Sequence, residues 1–300
     1  MAMYLLLSRI QVHNANAMSS PYTVGFPAMT AWLGAAHALE RKLRAEGLPD
    51  VRFSGVAVAS HACDVQLYKG PNDYRYSVIG TANPLKKSSK TGEYERPPFI
   101  EEARCHLCVS LLLRTEGIDG RNSAQAEEAA ASLLWRMKLA GGDIEKIGKV
   151  ETIPVNEETD EDERRLLRRL MPSYVLIERR DLMKGDAAGD GDALERLMNL
   201  LAVEFEPQDD GDKLKWQGSR RTGGWIVPIA VGFKAISEAV AANHQRAPGY
   251  EHHFAEPIVT LGEFRMPYHF RSIEEILWEY HTDLTQGLYL CRNQKVLQNA

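Results

Sequence analysis

The sequence contains no apolar run near the ~20 residues that a membrane-crossing helix needs. Its first residues, MAMYLLLSRIQ, lack the long apolar core and small-residue cleavage site of a secretion signal, so the expected location is the cytoplasm, with no membrane partner. Cysteine is scarce: four in 300 residues (Cys63, Cys105, Cys108, Cys291), as expected of free thiols in a reducing compartment. Cys105 and Cys108 form a lone C-x-x-C inside ARCHLCVSLLL, which reads as a strand. Residues three apart on a strand point to opposite faces, and no second pair completes a zinc site, so they are read as packing cysteines. Positive charge is also short. A net charge of -5 counts against a free-standing nucleic-acid binder but leaves room for a subunit that grips a few phosphates inside an assembly.

The enzymatic templates are missing too. There is no Walker phosphate loop and no G-x-S-x-G nucleophile turn, and Gly223-Gly224 alone is too weak for a dinucleotide fingerprint. His252-His253 has no third ligand at metal spacing, and the run Glu157 to Glu163 reads as a helix start. No cofactor and no metal are expected. One catalytic possibility stays open, metal-independent RNA cleavage. It needs a general base near a 2'-hydroxyl and a cation to stabilise the phosphorane. His13, at the end of the first strand, is the candidate base, against a structural or RNA-stacking role; His61 and His106 lie in or beside strands.

What is present is an ordinary folding composition, 44% hydrophobic and 26% charged. Tyr4 to Val12 is a β-rich run, and Ala28 to Glu46 has helical periodicity with Trp32, Ala36, Leu39 and Leu43 on one face, stopped by Gly47. Strand-like runs follow at Val51 to Ser60, Tyr74 to Gly80 and Phe99 to Leu113. A helix is predicted over Ser123 to Leu139 and a strand within Asp143 to Val155. The order is the β-α-β-β-α-β plan of RNA-recognition-motif and ferredoxin-like domains, an α+β fold. Beyond Val155 a helix is predicted in NEETDEDERRLLRRLM, then a strand (Tyr174 to Arg180), a helix (Asp192 to Phe205), strand-like runs in GSRRTGGWIVPIAVGF and at Ala255 to Phe264, and a helix at Ser272 to Tyr280. Residues 1–155 thus form the core, 156–210 a helical elaboration, and 211–300 a β-rich segment completing the same compact unit.

Three irregular segments carry groups suited to binding. The opening loop holds Asn14, Asn16, Ser19, Ser20 and Tyr22; amides and exposed backbone can bond base edges and 2'-hydroxyls, and Tyr can stack. The alternative is an Asx-rich turn capping the helix near Ala28. A tongue over Thr81 to Pro98 carries Lys86, Lys87 and Lys90, either laid over a phosphate backbone or simply solvated. Ser219-Arg220-Arg221-Thr222-Gly223-Gly224-Trp225 could clamp phosphates between guanidinium groups and bare backbone; Trp225 is expected in the core.

The blocks NANAMSSPYTVGFP, LGAAHALERKL, RRTGGWIVPIAVGF and LGEF…ILWEY, in this order and spanning nearly the whole chain, resemble the Csy-two family of type I-F CRISPR-associated proteins. The resemblance implies a RAMP-superfamily, Cas-five-like subunit with an RNA-recognition-motif-like fold and a protruding thumb hairpin, here at 81–98. It implies a non-enzymatic role in the Csy (type I-F Cascade) complex for antiviral defence. Such a subunit pairs with the large subunit as a heterodimer, holds the 5' handle of the CRISPR RNA, and abuts the first backbone subunit. Target DNA is met through the assembled complex, where guide pairing reads the sequence. On matching blocks, Asn14 to Tyr22 and Arg220, Arg221, Gly223 and Gly224 are the RNA-facing candidates. Lys86, Lys87 and Lys90 hold the thumb's place.

Overall fold

In the computed structural model, residues 1–79, 85–95, 102–156, 159–184, 192–209, 214–241 and 249–293 are described. The opening apolar run becomes a long strand, β1 (Ala2–Asn16), followed by helix α1 (Met29–Ala45), which buries Trp32, Ala36, Leu39 and Leu43, the stripe its periodicity sets out. Strands β2 (Arg52–Val65) and β3 (Arg104–Glu116), helix α2 (Ser123–Leu134), and strands β4 (Gly142–Lys146) and β5 (Val150–Val155) complete the first half. Strand β1 pairs with β3, β3 pairs with β2, and β4 and β5 share the other edge of β1; every pairing is antiparallel. Helices α1 and α2 cover one face, where Leu5, Leu7, Ile10 and Val12 of β1 meet Trp32, Leu39, Ala126 and Ala130.

The second half adds α3 (Asp160–Arg169), β6 (Tyr174–Glu178), α4 (Ala193–Leu201), β7 (Val203–Asp209), β8 (Leu214–Arg220), β9 (Trp225–Ala235), β10 (Ala255–Arg265), β11 (Trp278–Asp283) and β12 (Leu288–Asn293). Helix α3 begins acidic and ends basic, complementing its dipole. Its Leu166 and Leu167 cover part of the opposite sheet face, over Tyr4, Leu6, Ala57 and Leu112. Strand β6 joins the free edge of β2, then β10, β9, β12 and β11 follow in space, and Trp278 of β11 returns to pair with Val56 of β2. The strands of the second half therefore close into a ring on β2, and the whole is an α+β fold on one large antiparallel sheet.

Several predicted elements change. Ser272 to Tyr280 is not a helix but a single 3-10 turn, Ile273–Glu275, running into β11. The side chain of Asn293 donates to the carbonyls of Glu275 (3.0 Å) and Leu277 (2.7 Å), and the Trp278 indole donates to Leu176 O at 2.7 Å, so tertiary partners take the groups a helix would use. Helix α4 ends at Leu201, because Val203 to Asp209 pairs with β8. Helix α2 stops at Leu134, and Lys138–Leu139 instead adds a short strand beside β4. Of the predicted strand Tyr74 to Gly80, only Ser77–Val78 is extended; it pairs with Leu67–Tyr68 outside the main sheet. In the tongue, Lys86–Lys87 pairs with Tyr94–Glu95, while 81–84 and 96–98 lie outside the described residues.

Candidate nucleic-acid interface

Strand alternation sets out the first part of the site. Val12 points into the core under α1, so His13 faces the other side of the sheet; likewise Cys105 and Leu107 are buried and His106 faces out with His13. The two imidazoles lie 4.5 Å apart on the adjacent strands β1 and β3. Asn14 sits beside them in left-handed backbone, φ 60°. Its N–H donates to His106 Nδ1 at 3.3 Å, its carbonyl accepts from Arg104, and its Oδ1 accepts from Gln66 Nε2 at 3.1 Å. The result is a polar, part-stacked patch on that part of the sheet, with groups from β1 and β3 and from Gln66 just beyond the end of β2. Asn14 was expected there from sequence; His106, Gln66 and Arg104 were not, although the buried–exposed alternation of ARCHLCV marks the first of them.

The rest of the opening loop is tied to itself. Asn16 Oδ1 accepts from the Met18 N–H at 3.0 Å, an Asx turn; the Ser19 and Ser20 hydroxyls bond Thr23 Oγ1 at 2.7 and 2.8 Å, and Ser20 Oγ also accepts from the Tyr22 N–H. Ser20 is buried, and Tyr22, 77% exposed, is the side chain the turn pushes outward. The turn half of the alternative sequence reading is present, while Ala28 starts α1 with no side-chain cap. Asn16 and Ser19 also line an open groove of about 660 Å³ beside α1, which has Lys42 and Arg136 on its wall.

The arginine–glycine loop is built differently. Arg220 and Arg221 are exposed; Arg220 donates to Ile226 O at 3.3 Å and Arg221 to Glu204 at 2.7 Å. Gly224 has φ +92°, where any side chain is strained, and a Cβ there would lie 2.6 Å from Glu263 Oε1 and push that carboxylate aside; Gly223 faces open space. Trp225 is a correction to the sequence reading: it is 51% exposed. Tyr174 and Phe264 already fill the space beneath, and the Trp225 ring lies over both, with centroids 5.1 Å from each.

Phe26, the end of the opening loop, packs edge-on against Phe264 at 5.3 Å. The ends of two separate segments therefore meet around one opening of about 320 Å³, lined by Phe26, Tyr174, Trp225 and Phe264 together with His61 and Cys63. His61 is fully engaged there: Nδ1 donates to Pro172 O at 2.8 Å and Nε2 accepts from Ser110 Oγ at 2.7 Å. Burial holds its pKa below the ordinary value, against the opposing pull of the Pro172 carbonyl. The Cys105 thiol donates to the Ala15 carbonyl at 3.8 Å, while Cys63, on the wall of the opening, is exposed. Lys86, Lys87 and Lys90 are exposed on their own hairpin, away from regular pairing with the main sheet. Cys105 points into the core and Cys108 to the other face; among the described residues no three His, Cys, Asp or Glu side chains gather as a metal site.

Comparison with known proteins agrees with these blocks. The sequence model of the family described as CRISPR-associated protein (Cas_Csy2) matches residues 5–291. The chain is 31% identical to the CRISPR-associated protein Csy2 of Pseudomonas aeruginosa (strain UCBPP-PA14), over 99% of this chain and 97% of that protein.

Proposed function

The chain belongs to the Csy2 family of CRISPR-associated proteins, and from this we propose that it is a non-catalytic subunit of the type I-F CRISPR surveillance complex, acting in the cytoplasm. It holds the 5' handle of the CRISPR RNA together with the large subunit and anchors the first backbone subunit. The observation that carries the reading is the meeting of the two family blocks: NANAMSSPYTVGFP and RRTGGW come together on Phe264 through Phe26 and Trp225, with Arg220 and Arg221 exposed a few residues before Trp225. A site for one defined RNA tail needs shaped loops and a few cations more than bulk charge, which suits a chain of net charge -5.

The strand order of the first half, fourth–first–third–second, supports an RNA-recognition-motif-like core in 1–155. Exposed tyrosines and lysines in the extension between β2 and β3 (Tyr68, Tyr74, Tyr76, Tyr94, Lys86, Lys87) suit a thumb laid along a nucleic-acid backbone. The residues of 156–300 then complete the unit. Leu194 and Met198 of α4 and Phe205 and Trp216 of the next hairpin are each exposed apolar side chains, which suits contact with the large subunit.

The test is affinity capture of the full chain from cells carrying its CRISPR locus. CRISPR RNAs sharing one 5' end, recovered with the large subunit, are expected; an RNA-free monomer would overturn the reading. Incubation with repeat RNA in EDTA should leave the RNA intact. Cleavage that disappears in His13→Ala would instead establish a metal-independent endoribonuclease.

A further inference from the structure

We infer that the aromatic mouth between Phe26, Tyr174, Trp225 and Phe264 holds one unstacked nucleobase of the bound RNA, with Trp225 as its stacking platform. The inference rests on the RNA-holding role proposed above and adds to it a site and an occupant. Trp225 leaves half of its surface to solvent while its other side is fixed by Tyr174 and Phe264, which is how a stacking face is kept rigid and open at once. The cavity, about 320 Å³, lies at the small end of the ~300–1,000 Å³ span of small-molecule sites.

Charge decides between a base and an apolar knob from a partner protein. Arg220 and Arg221 stand a few residues before Trp225, both exposed. Among the described residues Arg221 is held by a surface pair with Glu204, which is weak and readily exchanged for a phosphate. An apolar protein knob would offer the two guanidinium groups nothing beyond the Ile226 carbonyl and the Glu204 carboxylate they already hold, whereas a nucleotide offers a ring to Trp225 and phosphates to the arginines. His61 does not read the base, because both ring nitrogens are already bonded.

Cys63 reports occupancy. It is an exposed thiol on the wall of the mouth, whereas Cys105 and Cys291 are buried. It is the exposed one of the four thiols, Cys108 being half-buried, so it alkylates first. The experiment follows N-ethylmaleimide labelling of Cys63 by peptide mass spectrometry on the full chain, with rA8, rU8 or an octamer of abasic ribose phosphates. The RNA octamers should slow labelling about 10-fold, and the abasic octamer, equal in charge, should not. Trp225→Ala should weaken rA8 binding about 10-fold and Trp225→Phe less than about 3-fold. Because the ring also packs on Tyr174 and Phe264, urea unfolding of both variants accompanies the assay: lost binding at an unchanged urea midpoint supports stacking, and binding lost only in step with the midpoint would overturn it.

RNA binding with Cys63 labelled at its free rate and Trp225→Ala unaffected would overturn the mouth and leave the RNA-holding role standing. Cys63 protection by the RNA-free large subunit would overturn it in favour of a protein side chain. No RNA binding by the chain, alone or with its co-purified partners, would overturn both.

Discussion

The opening loop and the arginine–glycine loop are both rich in polar groups, yet the fold uses them in opposite ways. In the first, short amides and hydroxyls find one another: Asn16 closes on Met18, and Ser19, Ser20 and Thr23 form a hydroxyl cluster, so the segment becomes a turn that exposes Tyr22 and packs Phe26 against the core. In the second, the side chains are long and cationic, each tied at one point on the surface, and the backbone is fixed by Gly224 against Glu263. Polar composition alone therefore does not locate a ligand surface. Short polar groups are within reach of their own backbone and spend themselves on it, while long cations stay available.

Gly224→Val gives the largest expected break in this contrast. A β-branched residue at φ +92° with its Cβ against Glu263 should cost about 3 kcal/mol in urea unfolding, while Gly223→Ala, facing open space, should change stability by under ~0.5 kcal/mol. Equal costs would mean that the turn is not held as described. Next comes Arg220→Ala with Arg221→Ala, which should weaken RNA retention about 10-fold and flatten its salt dependence while leaving the melting temperature nearly unchanged. Unchanged affinity across a salt series removes both from the site.

Ser20→Ala sharpens the other side. Losing its buried hydroxyl should cost about 1 kcal/mol of stability and leave RNA affinity within about 2-fold. A loss of affinity without a loss of stability would make the opening loop an RNA contact after all. The smallest effect is a pH dependence. His61 is depressed by burial, so the unfolded chain takes up its proton first; the stability it contributes is complete above its unfolded value of 6.5 and is lost as pH falls toward the lower folded value. Acidification from about pH 7 to 5.5 should lower the urea midpoint more in the wild type than in His61→Gln, and parallel curves would contradict it.

Much of the architecture was legible because local patterns and tertiary needs agree. The stripe Trp32, Ala36, Leu39, Leu43 became the buried face of α1, and the acidic-to-basic run became α3. Where they disagree, packing wins. Ile276 to Tyr280 has an apolar pattern fit for a helix, but Trp278 and Asn293 draw it into the ring of strands. For the site, Arg220, Arg221 and Tyr22 were readable as exposed groups. Trp225 was not, since an indole after two glycines at a strand start ordinarily enters the core. Only the prior occupation of that space by Tyr174 and Phe264 turns it outward.

From its residues alone, the chain dictates its helices, the alternation of its central strands and the family blocks, because these depend on neighbours a few positions apart. The closing of the second half onto β2, the approach of His13 to His106, and the convergence of Phe26 and Trp225 on Phe264 came only with the fold. Each joins segments tens to hundreds of residues apart, and no local preference fixes the distance between them; the shared sheet does.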